Sequence, residues 1–192
     1  MTDDHFAKIF HEMDVYLRSR SAYIAFLQLR VASEFNIVWQ CGWAVHHALP
    51  TLNIGEYHVY FEKKFSFGKA DLVLVPVNSK GLEDLSNALI SEFKIAWPGG
   101  IKECAGNIRN ELYRSKGKNK GFVLAFLFAF EQTPSWTPYQ PMKQDLDGLE
   151  REIYKIVECE PFLKGAGFPM ITEEAKGKGR LVAWKAIVNE GN

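Results

Sequence analysis

Apolar positions recur with two different periods along this chain. Over residues 3–18, Phe6, Ile9, Phe10, Met13 and Leu17 fall at helical spacing, and Tyr23, Phe26, Leu27 and Val31 extend the pattern over 20–32. Ser33 is placed to cap a third helix over 34–49, ended by Pro50. On that helix Glu34 aligns with Val38, Cys41, Val45 and Ala48. The period then drops to two. In 56–65, Tyr57, Val59, Phe61, Lys63 and Phe65 alternate with polar neighbours, the pattern of a half-buried strand. Ser66-Phe67-Gly68 makes a turn, and 69–75 (KADLVLV) returns as the second arm of a hairpin. Residues 78–87 read as a polar loop or short helix, and 88–96 (ALISEFKIA) as a third strand stopped by Pro98-Gly99-Gly100.

A helix over 101–116 follows, with Ile101, Ala105, Ile108 and Leu112 on one face. After a loop at 117–120, the run 121–130 (GFVLAFLFAF) is apolar at both parities, as in a strand covered on both faces. A proline-rich loop over 134–141, a helix over 142–158 and a strand over 180–188 complete the order α-α-α-β-β-β-α-β-α-β. Early antiparallel strands followed by a βαβ crossover predict an α/β protein with a mixed sheet flanked by helices, folded as one domain over 1–192.

Composition narrows the class. The chain is 47% hydrophobic and 24% charged, which excludes wholesale disorder. Its 23 basic and 23 acidic side chains cancel, which argues against binding by bulk charge but leaves room for local patches. Cys41, Cys104 and Cys159 are widely spaced and form no zinc pattern, so a reducing cytoplasm is the expected compartment. The N-terminal MTDDH is acidic, with no apolar leader, and no run reaches the roughly 18 apolar residues of a membrane span.

The chemistry-bearing positions are charges set inside apolar strands. Asp71 opens Leu72-Val73-Leu74-Val75, and Glu92 and Lys94 lie between Ile90 and Ile95. Residues at i and i+2 on a strand share a face, so Glu92 and Lys94 project together. If the second and third strands pair, Asp71 stands beside Glu92. Two carboxylates brought together at a half-buried place call for compensation. A divalent cation supplies it, and oxygen-only ligands favour Mg²⁺ or Mn²⁺ over Zn²⁺.

In these residues the chain resembles the PD-(D/E)XK, or restriction-endonuclease-like, nuclease superfamily. The superfamily core runs αβββαβ, with Glu on the helix, Asp on the hairpin and Glu-x-Lys on the third strand. Here the same order reads Glu34, then Gly68-Lys69-Ala70-Asp71, then Glu92-Phe93-Lys94, over about residues 33–130. Helices over 3–32 precede that core and a helix and strand over 142–188 follow it. Ala70 replaces the proline of the family name. The Gln found on the next helix in many relatives is missing, though Arg109 and Tyr113 are there, so no subfamily follows.

The resemblance implies a Mg²⁺- or Mn²⁺-dependent nuclease that hydrolyses phosphodiester bonds in DNA. Asp71, Glu92 and the Phe93 carbonyl would hold metal, Glu34 a second metal or its water, and Lys94 would assist water attack. A site of this kind cuts one strand, so double-strand cleavage implies a homodimer, and sequence specificity would come from loops or a protein partner. The alternative is an inactive nuclease fold that only binds nucleic acid or protein.

Rival matches are weaker. Asp145 or Asp147 with Glu174-x-Lys176 falls in a Gly/Lys-rich stretch read as loop, and Glu62-x-Lys64 has no Asp at suitable spacing before it. Glu12 is the competitor of Glu34, and Cys104 lacks the His and Asn partners of a thiol nucleophile. His46, His47 and His58 are not at metal-ligand spacing, and Trp97 is the aromatic residue nearest the Glu-x-Lys strand. Charge does cluster after that strand. Lys102, Arg109, Arg114, Lys116, Lys118 and Lys120 outnumber Glu103 and Glu111 by four, the expected phosphate-contacting surface. Lys176, Lys178 and Arg180 form a second basic group.

Overall fold

The structure, a computed structural model, describes residues 2–31, 34–66, 68–114 and 121–186. Among these residues lie helices α1 (Asp3–Ser19), α2 (Ser21–Val31), α3 (Glu34–Leu52), α4 (Ile101–Arg114) and α5 (Leu146–Val157). The strands are β1 (Tyr57–Phe65), β2 (Gly68–Pro76), β3 (Leu89–Ala96), β4 (Gly121–Gln132), β5 (Leu163–Lys164), β6 (Phe168–Ile171) and β7 (Lys176–Lys185). They form one open mixed sheet in the order β1-β2-β3-β4-β7-β5, with β6 also on β7. β1, β2 and β3 are antiparallel neighbours, β3 and β4 are parallel across α4, and β4 and β7 are antiparallel. The hairpin, the third strand and the crossover predicted by the hydrophobic pattern are therefore present.

The parity of β4 divides the core. All residues from Gly121 to Phe130 are buried. Phe122, Leu124, Phe126, Phe128 and Phe130 pack with Phe6, Ile9 and Met13 of α1 and Ile37, Cys41 and Val45 of α3. Val123, Ala125 and Leu127 face Ile108 and Leu112 of α4 and Leu149 and Ile153 of α5. Each fully buried large apolar side chain is worth roughly 1.5–3 kcal/mol, so this central strand anchors both layers. Gly42 matters for the α3 contact: a Cβ there would lie 2.3 Å from the Phe61 ring of β1.

Several sequence expectations need correction. α3 does not end at Pro50 but continues to Leu52. The proline falls in the last turn, where the chain can absorb it more readily than in the middle of a helix. α5 starts at Leu146 rather than 142, because Asp145 is its N-cap and accepts a 2.6 Å hydrogen bond from the Gly148 N–H. β5 and β6 were not anticipated, being two and four residues long with glycine and proline around them. β7 begins at Lys176, four residues before the predicted strand, so Glu174-x-Lys176 ends at the first residue of a strand instead of lying wholly in a loop. Ser33, Phe67, the loop at 117–120 and the end of the predicted last strand at 187–188 lie outside the described residues. No helix among the described residues is long and apolar enough to cross a membrane.

Candidate active site

The site arises where β2 and β3 part. Their register pairs Leu72–Leu74 with Leu89–Ser91 and stops there. Beyond it β3 continues against β4 alone, from Glu92↔Val123 to Ala96↔Leu127. The Phe93 N–H, left without a β2 carbonyl, donates to Asp71 Oδ2 at 2.8 Å. The carboxylate thus closes the end of the ladder in place of backbone. Across β2, the pairing with β1 passes from Phe61↔Leu72 to Lys63↔Ala70 without joining Glu62 to Asp71. Glu62 has φ 52°, the left-handed region that costs a non-glycine residue on the order of 1 kcal/mol or more. The regular ladder is therefore interrupted on both sides of Asp71.

This interruption lets charges converge. Glu92 and Lys94 share the β3 face turned toward α4, both half-buried. Lys94 Nζ donates to the Phe93 carbonyl at 2.5 Å and lies 3.5 Å from Glu34 Oε1 at the start of α3. Glu34, Asp71, Glu92 and Lys94 are thus brought together from a helix, a hairpin strand and a crossover strand. Burial pushes the Glu92 carboxyl up, and the charges of Asp71 and Glu111 and a hydrogen bond with Asp71 push it further, against the pull of Lys94, to about 8. Glu34 is raised for similar reasons, first by burial, with Lys94 opposing and Asp71 and Glu111 adding to the rise.

Glu111 is the residue the sequence reading missed, since it entered only as a charge within a basic helix. Its field reaches both Glu34 and Glu92. The available signal was its position three residues after Ile108 and seven after Cys104, beside the buried face of α4. Cys104 itself lines a cavity of about 190 Å³ with Glu34, Lys94, Trp97 and Asn107. Burial, then the charge of Glu34, hold its thiol up at about 12, so it is not a thiolate near neutrality.

The donor set is carboxylate and carbonyl oxygen, which suits a hard divalent cation. Asp71 and Glu92, two carboxyl groups joined by a hydrogen bond, also fit a place where a cation can take over the proton's role. Among the described residues, no group of three or more His, Cys, Asp and Glu side chains is arranged as a metal site. Glu34, the third carboxylate of the expected ligand set, is engaged by Lys94.

The expected phosphate surface is only partly described. Lys102 and Arg109 are exposed on α4, and Arg109 pairs with Glu158 at 3.0 Å. Lys116, Lys118 and Lys120 lie outside the described residues, as do the side chains of Tyr113 and Arg114. In the second basic group, Arg180 is mostly buried and paired with Asp147 and Glu150, so it is a structural cation rather than part of an open surface. The rival acidic match is dispersed: Asp145 caps α5, Asp147 holds Arg180, and Glu174 lies 3.9 Å from Arg30. Of the histidines, His58 bonds Glu83 at 2.8 Å, and His46 and His47 are exposed beside Trp43. No family model, curated protein or solved structure matches the chain.

Proposed function

We propose that this protein is a divalent-metal-dependent nuclease with a restriction-endonuclease-like core, hydrolysing phosphodiester bonds in DNA. The observation that carries the reading is the parting of β2 and β3, with Asp71 and Glu92 meeting at the fork and Lys94 beside them. The run α3-β1-β2-β3-α4-β4 supports it by matching the αβββαβ order of that superfamily.

Asp71, Glu92 and the Phe93 carbonyl would hold Mg²⁺ or Mn²⁺, with Glu34, and Glu111 near it, as further carboxylates. The carbonyl oxygen has two lone pairs, so its bond from Lys94 does not exhaust it. When bound, the ion supplies Lewis acidity toward a phosphoryl oxygen and makes water more acidic. The chain's own groups do the rest. Lys94 can donate a hydrogen bond to the attacking water and offset the negative charge that grows on phosphate. Glu34 aims Lys94 by pairing with it. The Phe93 N–H fixes Asp71, so the carboxylate is held in place before substrate arrives. Lys102 and Arg109, together with Arg114, Lys116, Lys118 and Lys120, would contact phosphates of the substrate. Each site would cut one strand. Cleavage of both strands would need a homodimer, and sequence specificity a protein partner or a loop.

The test is cleavage of single-stranded, duplex and branched DNA with and without Mg²⁺ or Mn²⁺, run beside Asp71→Ala and Lys94→Ala. Metal-dependent cleavage lost in both variants is the expected result. Cleavage that survives both contradicts the site. DNA binding with no cleavage under any metal favours an inactive binding module.

A further inference from the structure

One face of α3 leaves its aromatic residues about half exposed. Phe35, Trp39 and Trp43 recur every four residues, and each is 43–50% exposed. Four residues advance a helix by about 6 Å, so the stripe runs about 12 Å from the residue next to Glu34. Phe35 and Trp39 have ring centroids 6.3 Å apart, and Trp39 is stacked on Phe61 at 4.8 Å. Beside the stripe, a cleft of about 230 Å³ is walled by Tyr16, Arg20, Tyr23, Trp39, Gln40 and Trp43. Tyr23 is also about half exposed, and the Arg20 guanidinium lies over the Tyr16 ring at 5.0 Å.

Exposed tryptophans are costly to leave in water without a purpose, and a contiguous group marks an interaction surface. Charge selects the occupant. From Val15 to Leu52 the chain has a single carboxylate, Glu34, against Arg18, Arg20 and Arg30. Arg18 is committed to Asp14 at 3.0 Å and Arg30 lies 3.9 Å from Glu174 and over the Trp136 ring, whereas Arg20 lines the cleft. A cleft whose lining combines π faces with a guanidinium and contains no carboxylate suits a flexible polyanion carrying its own flat rings. A duplex hides those rings inside its stack, while a single strand can lay them on successive aromatic side chains.

We infer that the α3 stripe is a stacking platform for single-stranded DNA, which guides the strand to or from the carboxylate site at Glu34. Successive bases would rest on Phe35, Trp39 and Trp43, and Arg20 would meet the backbone. The guiding role rests on the nuclease reading, whereas strand binding by the stripe does not. Single-stranded DNA, or the unpaired arm of a branched molecule, is then the preferred substrate.

The experiment measures fluorescence anisotropy of a labelled oligothymidylate and of a labelled duplex, with chelator present so that no cleavage occurs. Wild type is compared with Phe35→Ala, Trp43→Ala and Trp43→Phe. Trp39 is left intact because it packs on Phe61. Thermal melts establish that each variant is folded. Removing one stacking ring should weaken single-strand binding roughly 5- to 150-fold, leave duplex binding little changed, and be largely reversed in Trp43→Phe. Unchanged single-strand affinity in both alanine variants overturns the proposal. So does a fall in sedimenting mass of these variants without a change in DNA affinity, which would make the face a contact between copies of the chain. The chelator separates this outcome from the catalytic one. Strand binding lost in Trp43→Ala while wild type shows no metal-dependent cleavage would keep the platform and discard the nuclease. Cleavage lost in Asp71→Ala with the stripe variants unaffected would do the reverse.

Discussion

Charge is drawn into the sheet at two places, with opposite results. Around Glu150, almost fully buried on α5, the accounts balance. Lys164 lies at 2.5 Å, the Tyr154 hydroxyl donates at 2.5 Å, and Arg180 bridges Glu150 to Asp147. Burial alone would lift the Glu150 carboxyl, but bonds from Lys164, Tyr154 and Arg180 outweigh it and leave it below the ordinary carboxylate range. At the β2–β3 fork, Glu34, Asp71 and Glu92 gather beside Lys94 within the field of Glu111, and the carboxyls of Glu34 and Glu92 are raised instead. In one cluster each carboxylate has a cationic partner, although Arg180 Nε is buried without a hydrogen bond. The other keeps Glu34 and Glu92 half-buried and close enough to Asp71 that both carboxyls hold their protons more tightly, the arrangement that a cation would relieve under the proposed function. Like charges kept together at a cost are a mark of function, though structural networks can imitate it.

The largest expected effect comes from opening the Glu150 cluster. Glu150→Ala leaves Arg180 with Asp147 alone and strips Lys164 and Tyr154 of their shared partner, and should cost about 3–5 kcal/mol in chemical denaturation. A loss under 1 kcal/mol would mean that the two clusters are not energetically different. At the fork the loss should fall on activity. Under the proposed function, Lys94→Ala should lower metal-dependent cleavage by roughly 10²–10³, with a melting temperature close to wild type.

The pH dependence of stability distinguishes the clusters by sign. Glu150 is lowered on folding, so its contribution is present above its ordinary value of 4.5 and is lost as pH falls through the folded value. Glu92 is raised, so the folded protein holds a proton that the unfolded chain releases. Its share of stability falls as pH rises from 4.5 toward 8. In metal-free urea titrations, Glu150→Gln should flatten the acid limb, and Glu92→Gln should flatten a decline between pH 5 and 8. Identical profiles for Glu92→Gln and wild type would remove the contrast. The smallest effect belongs to the surface. Arg109→Ala breaks a pair between two partly exposed side chains and should change stability by at most about 1 kcal/mol.

The fork half of this contrast was legible in the sequence, because Asp71, Glu92 and Lys94 interrupt apolar strands and period-two spacing assigns Glu92 and Lys94 one face. The core strand at 121–130 declared itself by being apolar at both parities. What stayed hidden depended on tertiary placement. Glu111 looked like a surface charge until α4 was laid across β3. Arg180 looked like part of a basic patch until α5 brought Asp147 and Glu150 to it. β5 and β6 were too short to show a period, and the Asp145 cap moved the start of α5 because one side-chain hydrogen bond outweighs the loose helical pattern before it. The exposure of Phe35, Trp39 and Trp43 was also invisible, since aromatic residues on a helix read equally well as core.

The central claim is that Asp71 and Glu92 form a carboxylate pair in want of a cation. The most direct measurement is the melting temperature of wild type, Asp71→Asn and Glu92→Gln across a Mn²⁺ titration. A ligand that binds only the folded state at 100 times its dissociation constant stabilises it by about 2.7 kcal/mol. Wild type should therefore melt several degrees higher with Mn²⁺, and neither variant should respond. An equal response in all three proteins, or none in wild type, would contradict the account.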